Sequence, residues 1–301
     1  MKSKIQKLTV PDIIKMKNKK IITMLTAYDY SMAEILDKAG VDIILVGDSY
    51  AMTELGMPNT LAVEMEDMIT ITAAVSKAVK RALVVADMPF LSYQTNIKTA
   101  RTNAGLFIKK ANADAVKMET GPDTIDLVKG VIDIDIPVMG HIGLTPQSVK
   151  KMGGFRIQGK TVKSAYTLIK QAKELEKAGV FSIVLEGIPA ELSKIITDEV
   201  SVPTIGIGAG PFCDGQVQVI HDLLGLSLSP VPKHAKSYAN LSKVILKSVK
   251  SFNEDVKKRF FPKKSQYITM DKIEYKNLLN RLKNENNKRS CQDSESSVKI
   301  F

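Results

Sequence analysis

The chain has 301 residues, 44% of them hydrophobic, 6% aromatic and none of them tryptophan, enough for a large core but poor material for stacking single-stranded nucleic acid. Its net charge of +11 is unevenly spread: residues 1–232 hold 26 Lys/Arg against 25 Asp/Glu, and residues 233–301 hold 17 against 7. The body is therefore nearly neutral and the extension basic, and no apolar stretch is long enough to span a bilayer.

In chain order, short Val/Ile-rich runs alternate with longer amphipathic segments. Residues 21–27 read as a strand and 31–39 as a helix; 41–46 is the next strand, followed by a helix over 65–79. The rhythm repeats as 82–86 and 97–111, 115–118 and 124–132, 137–140 and 164–178, then 181–185 and 189–199. A seventh strand follows at 203–207, and a weaker eighth is expected near 226–228. Runs without polar alternation are strands buried on both faces, and seven or eight strand–helix units favour a closed parallel barrel over an open sheet. No G-x-G-x-x-G follows the first strand, which argues against dinucleotide binding. The catalytic barrel is expected over 1–262. A basic, polar tail follows over 263–301, with a short helix at 271–288 and disorder over the last dozen residues.

In such a barrel, functional groups gather at the C-terminal ends of the strands. There the runs deliver Asp48-Ser49, Asp87, Lys117 with Glu119, His141 between glycines, Glu186, and the loop Gly206-Ile207-Gly208-Ala209-Gly210. One Asp after a strand commonly caps a helix, but several carboxylates on one rim repel one another unless a cation sits among them. A hard divalent ion such as Mg²⁺ suits that oxygen set, and no Cys/His cluster points to zinc. Lys117 suits either an anionic substrate group or a salt bridge to Glu119 or another neighbour. His141 either hydrogen-bonds a substrate or closes a loop. His221 and His234 have no such placement and read as structural or exposed. The two cysteines, Cys213 and Cys291, are far apart and form no disulfide framework, which fits a reducing cytoplasm.

Several stretches resemble ketopantoate hydroxymethyltransferases: Thr26-Ala27-Tyr28-Asp29-Tyr30, Val46-Gly47-Asp48-Ser49, Ala86-Asp87-Met88-Pro89-Phe90 and Val116-Lys117-Met118-Glu119. The long stretch Gly140-His141-Ile142-Gly143-Leu144-Thr145-Pro146-Gln147-Ser148 is the most specific, and Gly153–Gly159, Leu185-Glu186, Ile205–Gly210 and Asp214-Gly215-Gln216 follow in the family's order. The resemblance runs from about Leu8 to Pro262. Mild departures fall at Tyr50-Ala51-Met52, at Gly187 and over 228–232.

The resemblance implies an α/β fold, a (β/α)8 TIM-type barrel of the phosphoenolpyruvate/pyruvate-like kind with a basic C-terminal extension. It implies transfer of a hydroxymethyl group from 5,10-methylenetetrahydrofolate to 3-methyl-2-oxobutanoate, giving ketopantoate for pantothenate and coenzyme A biosynthesis. It assigns Asp48 and Asp87 as Mg²⁺ ligands, with Glu119 as a third acid at the metal. Asp48, Ser49, Asp87 and Lys117 become oxo-acid contacts, with His141 a further candidate, and Glu186 the general base. A cytoplasmic homo-oligomer is expected, a decamer in the family, with no membrane or nucleic-acid partner. Two alternatives stay open: a Mg-dependent C–C lyase of the isocitrate-lyase or phosphonomutase type, and a non-catalytic binding protein acting through its basic tail.

Overall fold

The computed structural model describes residues 6–228 and 230–296, so Ser229 and the last five residues of the expected disordered end lie outside it. Eight parallel strands close in chain order: β1 Ile22–Thr26, β2 Ile43–Val46, β3 Leu83–Asp87, β4 Ala115–Glu119, β5 Val138–Gly143, β6 Ser182–Glu186, β7 Thr204–Ile207 and β8 Gly215–Gln218. β8 pairs back onto β1, with Ile22 opposite Gly215. The helices are α1 Val10–Met16, α2 Tyr30–Lys38, α3 Tyr50–Thr53, α4 Met65–Ala78, α5 Ile97–Ala111, α6 Ile125–Ile132, α7 Val149–Met152, α8 Val162–Ala178, α9 Ala190–Glu199, α10 Ile220–Leu224, α11 Leu241–Lys257 and α12 Lys272–Ser296. None is long and apolar enough to cross a membrane among the described residues.

The period of two along each strand sorts side chains between two cores. Outward residues such as Ile44, Val84, Val116, Ile183 and Leu185 pack under the helices with Leu36, Val75, Phe107 and Leu175. Inward residues such as Ile22, Met24, Ile43, Leu83, Val85, Met139 and Val184 fill the lumen, and fully buried Ile13 of α1 joins them. Helix starts are fixed by side-chain caps: Asp29 accepts from the Met32 N–H and Asn96 from the Thr99 N–H, each at 2.9 Å. α8 ends at Gly179, whose φ of +98° suits a residue without Cβ.

The eighth strand is not at 226–228. It is Gly-Gln-Val-Gln at 215–218, with Gln216 exposed and a single apolar residue, Val217, facing inward. Polar bonds compensate for the missing apolar run. Asp214, just before it, accepts from the Thr204 N–H (2.9 Å) and from Lys17 Nζ (2.9 Å), tying β8 to β7 and to the α1–β1 connection. Leu226 instead follows the left-handed Gly225 that ends α10.

By its contacts the chain divides after Ser242, ahead of the expected boundary at 262. No residue of α11 is buried, which leaves most of that helix outside the compact unit. Residues 243–301 form the second unit, where Phe252 and Phe261 meet edge to face at 5.6 Å. The tail helix is longer than the expected 271–288 and runs into the segment expected to be disordered; its Lys, Arg, Glu and Gln residues are good helix formers.

Candidate active site

The inward positions change character toward the C-terminal ends of the strands. Below lie Val85, Ala115, Met139 and Val184; above them, on the same faces, lie Asp87, Lys117, His141 and Glu186. Strand register makes the neighbours. Asp87 is aligned with Lys117 across β3–β4, and Glu119 with His141 across β4–β5. Lys117 Nζ donates to Asp87 Oδ1 at 2.5 Å, with both side chains buried. Asp48 follows Gly47 at the end of β2, and its N–H donates to Asp87 Oδ2 at 3.2 Å. A side chain at position 47 would crowd Ser49 Oγ, so glycine allows the turn that brings the two aspartates together.

All the expected residues meet here. Asp48, Ser49, Asp87, Lys117, Glu119, His141 and Glu186 line one cavity of about 560 Å³. Ser49 Oγ shares a 2.8 Å hydrogen bond with the Tyr28 hydroxyl. His141 Nε2 lies 3.3 Å from Glu186 Oε2, and its Nδ1 lies 3.8 Å from Glu119 Oε1, though neither contact has hydrogen-bond alignment. Glu119 Oε1 is buried without a hydrogen-bond partner. Glu186 keeps 21% of its side chain exposed, the most open of the site's carboxylates.

One organising residue was not singled out in the sequence. Gln147, 5% exposed, sits in the connection after β5. Its Nε2 donates to Asp48 Oδ2 and to the Met88 carbonyl, both at 2.9 Å, and its backbone N–H donates to Glu119 Oε2 at 2.9 Å. Its Oε1 accepts from the Tyr93 hydroxyl at 3.1 Å and from Gln94 Nε2 at 3.0 Å. The only signal in the sequence was its place in the long specific stretch; a loop glutamine carries no periodicity. His234, read as structural or exposed, is exposed and also lines the cavity. His221 does not; it contacts Glu54 at 3.2 Å and packs on Tyr28. Cys213 is buried and does not line the cavity.

The electrostatics are unbalanced. Burial, then the charge on Asp87, pushes Asp48 up to about 7. Burial, then Asp48, holds the Glu119 carboxyl well above the usual carboxylate range. Burial works against the charge on Lys117, but Asp87, Asp48 and Glu119 outweigh it and keep the ammonium protonated. Burial and then Lys117 push His141 down, so it is neutral at pH 7. Three buried acids thus face one buried cation. Among the described residues no three His, Cys, Asp or Glu side chains are gathered tightly enough to hold a metal by themselves. Two adjacent aspartates, carboxyls whose ionisation burial and their neighbours oppose, and an unpartnered Glu119 oxygen nevertheless suit a hard cation that takes one or two carboxylates and completes its shell with water and substrate oxygens.

The model of the ketopantoate hydroxymethyltransferase family matches residues 7–264. A 3-methyl-2-oxobutanoate hydroxymethyltransferase from Dehalococcoides mccartyi is 52% identical over 265 residues, covering 88% of this chain and 95% of that one. Among solved structures, phosphoenolpyruvate phosphomutase from Streptomyces platensis subsp. rosaceus shares the fold at a TM-score of 0.57 and 13% identity, covering 97% of this chain and 99% of that one. Phosphonopyruvate hydrolase in complex with oxalate and Mg²⁺ shares it at a TM-score of 0.53 and 14% identity, covering 92% and 97%.

Proposed function

The chain belongs to the ketopantoate hydroxymethyltransferase family, and from that premise we propose that it joins 3-methyl-2-oxobutanoate to the one-carbon unit of 5,10-methylenetetrahydrofolate through an enolate. With one water consumed, the products are 2-dehydropantoate and tetrahydrofolate, the former a precursor for pantothenate and coenzyme A. Asp48 and Asp87 would hold Mg²⁺, with Glu119 beside them as a third acid; the phosphonopyruvate hydrolase of similar fold was solved with that ion. Bound there, the ion supplies Lewis-acid polarisation of the substrate's 2-oxo group.

The protein's own residues do the rest. Lys117, kept charged by the surrounding acids, offsets the negative charge of the substrate on the same rim. Ser49, oriented by Tyr28, offers a hydroxyl to the substrate. Glu186 takes the proton from C3, and the C–H electron pair becomes the enolate. Neutral His141, buried between Glu119 and Glu186, limits how far the Glu186 carboxylate can swing. C3 then attacks the methylene carbon of the carrier as one of its two C–N bonds breaks, and water displaces the second nitrogen to leave the hydroxymethyl group; the proton taken from C3 and one proton of the water go to the two nitrogens of tetrahydrofolate.

The observation that carries this reading is the position of Glu186. It is a partly exposed carboxylate at the end of β6, lining the cavity that holds the buried Asp48, Asp87 and Lys117. The test is deuterium exchange at C3 of the oxo acid in D2O with Mg²⁺ and no folate. Glu186→Gln should slow exchange by about 10²–10⁴-fold, the usual contribution of a positioned base. Exchange at the parent rate would remove Glu186 from this role.

A further inference from the structure

The 560 Å³ cavity is larger than a five-carbon oxo acid needs, and its two ends differ in chemistry. The acids and Lys117 are buried, whereas Phe155 and Ile157 line the same cavity while 53% and 54% exposed. Both come from the connection between α7 and α8. Pro232, Lys233 and His234 line it from the segment after α10, and they are exposed as well. Neither Lys233 nor His234 forms an ion pair with any described residue. Asp222, the acid of this region, is half-buried; burial pushes its carboxyl up, and His234 and His221 beside it act in the opposite direction.

The segment bearing Lys233 and His234 is anchored. The Gln218 side chain grips the backbone of Lys236 twice, accepting from its N–H at 2.7 Å and donating to its carbonyl at 3.0 Å. A Cβ on Gly208 would come within 3.2 Å of His234 Cβ, so the bare glycine backbone of the β7 loop lies against that histidine. The mouth therefore has exposed apolar side chains on one connection and, on another, an exposed lysine that makes no salt bridge with a described residue, beside an imidazole.

We infer that this mouth is the seat of the one-carbon carrier, with its flat ring system against Phe155 and Ile157 and its glutamyl carboxylates toward Lys233. The assignment rests on the reading of the reaction given above and adds where the second substrate binds. Exposed aromatic and aliphatic side chains suit a planar heterocycle, and the solvent-open ammonium of Lys233 suits carboxylates that stay partly hydrated. Continuity with the buried acids lets a carrier held here present its methylene carbon to an enolate formed beside Glu186.

The test is calorimetric binding of tetrahydrofolate to the full-length protein loaded with Mg²⁺ and 3-methyl-2-oxobutanoate. Phe155→Ala and Lys233→Glu should each raise the Kd about tenfold, or ~1.4 kcal/mol, and Phe155→Tyr should keep it near the parent value. The loss in Lys233→Glu should vanish with tetrahydropteroate, which has the same rings without the glutamyl carboxylates. If both variants bind tetrahydrofolate within about twofold of the parent, or if Lys233→Glu weakens both ligands equally, the mouth is not the carrier's seat. C3 exchange by the parent protein separates the two ideas: without it the proposed reaction itself fails, and with it only the location of the carrier does.

Discussion

Replacing Gln147 by methionine keeps the length and volume of the side chain and removes all four of its side-chain hydrogen bonds. One goes to Asp48, one to the Met88 carbonyl, and two arrive from Tyr93 and Gln94. At pH 8, above the Asp48 value of about 7, the bond to the carboxylate is charge-assisted and contributes ~1.5–3 kcal/mol, and each neutral bond contributes ~1 kcal/mol. Tyr93 keeps its 2.8 Å bond to the Glu119 carbonyl, so one charged and two neutral bonds are forfeited; water is a poor substitute at a residue 5% exposed, and the loss should total about 4 kcal/mol. For a domain of this size that lowers the Tm by about 10 °C, measured by calorimetry or circular dichroism without added metal. The second readout is Mg²⁺ affinity by titration calorimetry. Asp48 loses the donor that aims it, so affinity should fall ~10–100-fold, as when groups that orient metal ligands are removed. The backbone bond from Gln147 to Glu119 survives the substitution, so Glu119 should stay in place. A Tm within about 2 °C of the parent together with unchanged Mg²⁺ affinity would refute the view that Gln147 organises the site.

Gly143 has a φ of +100°, and a Cβ there would collide with the Glu186 carbonyl oxygen; Gly143→Ala should displace the base and slow C3 exchange by at least about tenfold, and exchange at the parent rate would show that β6 absorbs the collision. Asp48→Asn should weaken Mg²⁺ and oxo-acid binding together in calorimetry, and unchanged Mg²⁺ affinity would remove Asp48 as a ligand. At the opposite end of the barrel, burial alone would raise the Asp42 carboxyl, but Lys20, Thr23 and Arg81 outweigh it and hold it below its ordinary 3.8. Its contribution is therefore complete above the unfolded value and is lost as pH falls through the lower folded one. Asp42→Asn should cost about 2 kcal/mol at pH 7 and flatten the acid limb of a urea-unfolding series below about pH 4; an unchanged limb would show that other carboxylates set it.

Seven strands were legible because each carries its own apolar run, and the acids at their ends could be read once a barrel was assumed. β8 was not, because Gly-Gln-Val-Gln has no apolar run of its own and is held through Asp214, by Thr204 of the neighbouring strand and by Lys17 from near the start of the chain. The Asp87–Lys117 contact was hidden for a related reason. Both residues were expected at the site, but their pairing is set by the β3–β4 register, and no local pattern reports register. The sequence allows Lys117 either an anion contact or a salt bridge with Glu119 or another neighbour, and the structure pairs it with Asp87. Gln147 was missed because its importance lies in what surrounds it. His234 was missed because the segment that carries it reaches the cavity only after α10 turns back, anchored by Gln218.

The pairing of β1 with β8 also sets an order in time. β1 finds one neighbour in β2 within a few dozen residues, but its other neighbour ends at Gln218. At ~5–20 residues per second, a ribosome needs on the order of ten to forty seconds to deliver it. Until then β1 offers a row of unpaired backbone groups, and the apolar lumen stays open beside them. A nascent chain stalled before residue 218 is thus a sheet with an adhesive edge, and the first strand made is among the last to be covered.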